Sequence, residues 1–125
     1  MTAYTNGSLI PFGTITPDPT GQIFLSDNTR ISLPEGYYLI SYHVSASLPS
    51  EDYMQITPFY NDSPHIEFGI YFKTGTTDTF STAYGSNFLI IYVPSPTVFS
   101  LTYNGSATGL DGTASITILQ LRRNF

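Results

Sequence analysis

Residues 33–47, LPEGYYLISYHVSAS, alternate like a β-strand, yet neither face of that strand suits water. Tyr38, Ile40, Tyr42, Val44 and Ala46 make one apolar face. Tyr37, Leu39, Ser41, His43 and Ser45 make the other, and it carries no carboxylate, lysine or arginine. An antiparallel sheet normally packs one face and solvates the other. Two further segments share the feature. In 88–93, Leu89, Ile91 and Val93 back onto Phe88, Ile90 and Tyr92. In 114–121, Ala114, Ile116 and Ile118 back onto Ser115, Thr117, Leu119 and Leu121, a face of hydroxyls and leucines. A patch built from these second faces exceeds the roughly few hundred Å² that a monomer usually exposes. Something has to cover it.

The chain offers no helix for the purpose. Thr, Ser, Tyr, Phe, Ile and Val dominate, and 10 Gly and 9 Pro punctuate at short intervals. That composition predicts an all-β sandwich or barrel. At 125 residues, 1–125 is expected to be a single domain. Strands are expected at 8–15, 22–26, 29–33, 37–47, 53–61, 65–73, 87–93, 97–104 and 113–122, with 74–86 mostly loop. Pro58 marks its strand as an edge or the site of a bulge. With no helix available, another copy of the chain is the expected cover. Oligomers favour closed symmetry, and an interface made from a sheet face is large and apolar, as in obligate homo-oligomers.

Charge narrows the function classes. Only 10% of residues are charged, against about 25% in an ordinary domain. The net charge is −5, and the basic residues are Arg30, Lys73, Arg122 and Arg123. A nucleic-acid footprint needs a basic face, so that class is set aside, and anionic membrane surfaces with it. No apolar run approaches 18 residues, so no membrane insertion is expected. No basic segment followed by an apolar one marks a signal peptide. Without cysteine there is neither a disulfide nor a thiolate metal site.

Catalytic constellations are absent from the sequence. His43 and His65 are the only histidines, and no Gly-x-Ser-x-Gly elbow accompanies them. Asp18, Asp27, Glu51, Asp52, Asp62, Asp78 and Asp111 lie in turn-like sequence, where acidic side chains bond their own backbone. No cofactor or metal is expected. If calcium bound anywhere, 49–52 and 61–64 would be the loops to watch. Tyr53, Tyr60, Tyr84 and Tyr103 fall near loops or strand ends, where exposed rings could stack on sugars; strand-edge packing is the commoner use. Asn-x-Ser occurs at 6–8, 61–63 and 104–106, as expected of Asn- and Ser-rich turns.

Three blocks carry a resemblance: SDNTRISLPEGYYLISYHVSAS, MQITPFYNDSPH and VPSPTVFSLTYNGSATGLDGTASITILQL. In this order they resemble the tumour-necrosis-factor/C1q-like jelly rolls, and within them the C-terminal domains of BclA-type collagen-like surface glycoproteins. The resemblance spans roughly 8–121, and no Gly-X-Y stalk accompanies it here. It implies a homotrimeric jelly-roll sandwich of two antiparallel sheets. Its inner strands would turn one face to the core and the other to a threefold axis. Carried over by parity, the trimer-interface residues are Leu39, Ser41 and His43; Phe88, Ile90 and Tyr92; and Thr117, Leu119 and Leu121. His43 would then meet its two counterparts near the axis. The implied role is a non-enzymatic trimerising head of a collagen-like filament, extracellular, on a spore (exosporium) or bacterial cell surface. The alternative is a trimeric module that binds a host receptor or a glycan, like a phage fibre tip or a tumour-necrosis-factor-like ligand.

Overall fold

The computed structural model describes residues 2–13, 15–76 and 79–122. They form two antiparallel sheets packed face to face in a jelly-roll sandwich, with one short 3₁₀ turn at Ile66–Phe68. The first sheet runs β1 (Thr2–Tyr4), β10 (Gly109–Leu121), β4 (Gly36–Leu48), β8 (Ser81–Val93). The second runs β2 (Phe24–Asp27), β3 (Arg30–Leu33), β9 (Thr97–Gly105), β5 (Tyr53–Tyr60), β6 (Ser63–Pro64), and β7 (Ile70–Lys73) also pairs with β5.

Period-two patterning builds the core. Tyr38, Ile40, Tyr42, Val44, Ala46 and Leu48 of β4 are all buried, facing Met54 and Ile56 of β5 and Phe99, Leu101 and Tyr103 of β9 in one cluster. Tyrosine fits such a core only if its hydroxyl finds an acceptor. Tyr38 donates to the Pro34 carbonyl at 2.6 Å, Tyr42 to the Phe68 carbonyl at 2.6 Å and Tyr103 to the Ala107 carbonyl at 2.9 Å. Among the described residues no buried side-chain polar atom lacks a partner.

Several segments differ from expectation for local reasons. The described residues of the expected strand 8–15 do not form a ladder strand. They cross β9 through one bridge, Leu9 to Thr102, and the Phe12 N–H turns to the Asn28 carbonyl. The Ile10 N–H donates to the Leu101 carbonyl of β9, so the next donor due on that side is the Phe12 N–H, and its departure to Asn28 ends the pairing. The first strand is instead Thr2–Tyr4, held on β10 where Gly112 leaves room; a Cβ there would meet the Tyr4 ring at 2.5 Å. The expected strand 65–73 divides into the 3₁₀ turn and β7. Between them lies Gly69, where a Cβ would meet the Ile56 carbonyl at 2.5 Å.

Pro58 sits inside the sheet, paired with Leu101, at the break between the β7 and β6 pairings of β5. Its carbonyl accepts the His65 N–H on that broken side. A strand residue points its N and C=O the same way, so the missing proline N–H falls where no strand needs it. The largest departure is β8, which begins at Ser81 and takes in 81–86, expected to be loop.

Candidate functional site: the outer face of the four-stranded sheet

β4 lies between β10 and β8, and the register places the second faces side by side. Leu121, Tyr37 and Tyr92 form one cross-strand row, and Leu119, Leu39 and Ile90 the next. Thr117, Ser41 and Phe88 follow, then Ser115, His43 and Ser86, then Thr113, Ser45 and Tyr84. All nine residues assigned to an interface from sequence therefore share one face. The apolar rows lie at one end and the hydroxyl rows at the other. His43 faces Ser86 and Ser115 across its two ladders, with no carboxylate in its row.

This face holds some of the most exposed apolar side chains of the chain: Phe88 is 68% exposed, Ile90 59% and Leu119 54%. Tyr37 and Tyr92 pack ring to ring, centroids 4.7 Å apart and planes inclined 36°. Ser45 and Thr113 join hydroxyl to hydroxyl at 2.7 Å. No helix of the described residues covers the sheet. Sequence reasoning missed Tyr84, Ser86 and Thr113 as members of the patch, and it placed Ser115 on this face without assigning it to the interface. The first two lay in a segment read as loop, although Thr82, Tyr84 and Ser86 alternate there with Ala83 and Gly85. Ala83 is buried, and a Cβ on Gly85 would press on the end of Ile70.

The chemistry-bearing side chains do structural work. Ser63, His65 and Glu67 do come into line, the His65 Nε2 lying 3.2 Å from the Ser63 Oγ and Nδ1 3.0 Å from Glu67 Oε1. The Tyr60 carbonyl also sits 3.1 Å from Nε2 and favours a proton on that nitrogen. A protonated Nε2 has no lone pair with which to activate serine. The imidazole lies flat on the Tyr60 ring, centroids 3.7 Å apart, and closes the 60–67 hairpin. Its own backbone N–H, and then His65, hold the Glu67 carboxyl below its usual range.

The acidic turns behave as turns. Asp18 accepts from the N–H groups of Thr20, Gln22 and Ile23, and Asp27 from Thr29 and Arg30. In the two loops singled out for calcium, Glu51 binds the Thr76 hydroxyl and Asp52 the Ser106 hydroxyl, while Asp62 takes a left-handed hairpin position with φ of 61°. Asp78 lies outside the described residues, among which no three His, Asp or Glu side chains gather. Asn6 Oδ1 accepts from Asn104 Nδ2 and the Gly105 N–H, so two of the Asn-x-Ser asparagines tie turns together. Tyr60 and Tyr103 are buried, so neither is an exposed ring on which a sugar could stack. Tyr53 stacks on Tyr71 and Tyr84 leans on Phe72.

No helix of the described residues is long and apolar enough to cross a membrane. No family model matches the chain, and no curated protein is similar to it. Among solved structures, the chain is similar to the CBM35 from Cellvibrio japonicus Abf62, at 14% sequence identity and a TM-score of 0.35, over 95% of this chain and 97% of that one.

Proposed function

We propose that the chain is a non-enzymatic homotrimerising head, packed about a threefold axis through the outer face of β10, β4 and β8. One observation carries the reading: five registered rows of side chains without a single formal charge, apolar at one end, exposed in the isolated chain. At about 25 cal/mol per Å², covering even ~500 Å² of that face contributes roughly 12 kcal/mol per protomer before the entropy of association. The sequence resemblance supports three as the number of copies and a collagen-like surface filament, on a spore or bacterial cell, as the setting. The contribution of such a head is physical. It holds three chains in register, so an adjoining triple helix propagates from a fixed end instead of nucleating from free chains.

The first test is mass in solution by light scattering, expected at three times the 13.8 kDa chain or a multiple of that trimer. A folded monomer removes the proposal. The second test joins a Gly-X-Y repeat to the N-terminus and follows triple-helix recovery by circular dichroism after melting. Faster recovery than the free repeat is expected, and equal rates remove the filament role. Capture of a glycan on an array by a stable trimer, with no such acceleration, favours the binding-module alternative.

A further inference from the structure

The four-stranded sheet ends in β8 on one side and, beyond the reach of the short β1, in residues 113–121 of β10 on the other, and the two edges are finished differently. Along β8, side chains occupy the edge. Asn87 Oδ1 accepts the Phe88 N–H at 2.9 Å, Asn61 Nδ2 donates to the Tyr92 carbonyl at 3.0 Å, and Asn87 Nδ2 reaches across to the Phe68 carbonyl at 3.0 Å. Such contacts make an edge unavailable to other strands. Among the described residues, 113–121 of β10 show none of them. β1 covers it only at Gly109 and Gly112, and among the described residues no backbone hydrogen bond joins 113–121 to anything but β4. Beside this bare edge a cleft of about 880 Å³ opens toward the 12–25 segment, with Ile15, Phe24, Ile116 and Ile118 on its walls.

We propose that β10 pairs antiparallel with β10 of a second copy, centred on Thr117, joining two four-stranded sheets into one. The exposed backbone asks for a strand, and the cleft asks for apolar side chains at every second position. A second β10 supplies both. Residues 113–121 carry no charged side chain, so like charges do not meet when the strand pairs with itself. With Thr117 opposite its own counterpart, Ile116 faces Ile118 of the second copy on the cleft side, and the reverse. These four half-buried isoleucines cover one another, while Ser115 faces Leu119 on the outer side. Hydroxyl and β-branched cross-strand pairs of this kind are favourable. A twofold axis through the pair makes the contact self-complementary and closed. The contact uses the edge of the sheet where the proposed trimer uses its face, so a trimer retains three such edges with which to join further trimers.

The chain has no cysteine, which makes the test clean. In an Ile116→Cys, Ile118→Cys double variant, oxidation should convert the bulk of the folded chain to a disulfide-linked dimer, with mapping that joins position 116 of one copy to 118 of the other. No intermolecular link, with circular dichroism unchanged from the parent, overturns the inference. Ile90→Asp separates edge from face, because Ile90 lies on β8. This variant should lose the threefold assembly and remain a dimer by light scattering, and a monomer overturns edge pairing. A parent chain that stays at three copies at every concentration, with no link in the double variant, leaves the trimer standing and removes the edge contact. A parent chain of two linked copies does the reverse.

Discussion

Leu39 of β4 stands directly opposite Leu119 of β10, and both side chains point away from the core. Leu39 is half-buried by its neighbours, and Leu119 is 54% exposed. A charge at either position stays hydrated in a lone chain. In the proposed trimer it would be buried without a partner, at a cost of several kcal/mol. Leu39→Asp and Leu119→Asp are therefore expected to lose the threefold assembly with far-ultraviolet circular dichroism intact, leaving a light-scattering mass of one chain, or of two where the β10 edges pair. Retention of the assembled mass by both variants would falsify the assignment of this face.

Tyr42 and Asn87 converge on one acceptor from different strands. The Tyr42 hydroxyl and Asn87 Nδ2 both donate to the Phe68 carbonyl, anchoring the 3₁₀ turn to the four-stranded sheet. Burial raises the Tyr42 phenol far above its ordinary value of 10.0, so it remains a donor across the accessible pH range. Tyr42→Phe removes one donor and should cost about 1 kcal/mol, because the carbonyl keeps the other. Asn87→Ala should cost a similar amount or more, since the Phe88 N–H loses its acceptor as well. The double variant should lose more than the sum of the singles, leaving the carbonyl without either partner. Denaturant midpoints at one fixed protein concentration measure this, and strict additivity would show that the two donors do not share the load.

Alternation in the sequence placed the buried and outward faces of β4, β8 and β10 correctly, because a sheet side chain has only two directions to choose from. The same period could not show that the three strands lie side by side. That depends on long-range pairing, such as Leu39 between Leu119 and Ile90, which no local pattern encodes. The start of β8 was lost because the core face of 81–86 carries no large apolar residue; there Ala83 packs by being small, and Gly85 by leaving room for Ile70. The first strand was misplaced because three residues, Thr2–Tyr4, are too few to show a period, and their pairing rests on the space left by Gly112. The bare edge of β10 was invisible for a different reason. Whether a strand has neighbours on one side or two is a property of sheet order, and TASITILQL is as good a central strand as an outer one.

Acid should weaken this fold as two turn carboxylates take up protons. The Asp27 carboxyl is held at about 2, first by the Thr29 hydroxyl, then by the Thr29 N–H and the Arg30 guanidinium. The Asp18 carboxyl is also lowered, chiefly by the Ile23 N–H and the Thr20 hydroxyl. The folded chain therefore favours the ionised forms. Their contribution is complete above the ordinary value of 3.8 and is lost as pH falls toward about 2 at Asp27, because the unfolded chain takes up the proton first. Asp27→Asn should flatten the fall of the thermal midpoint between those values, and an unchanged fall would mean that the carboxylate's bonds do not stabilise the fold.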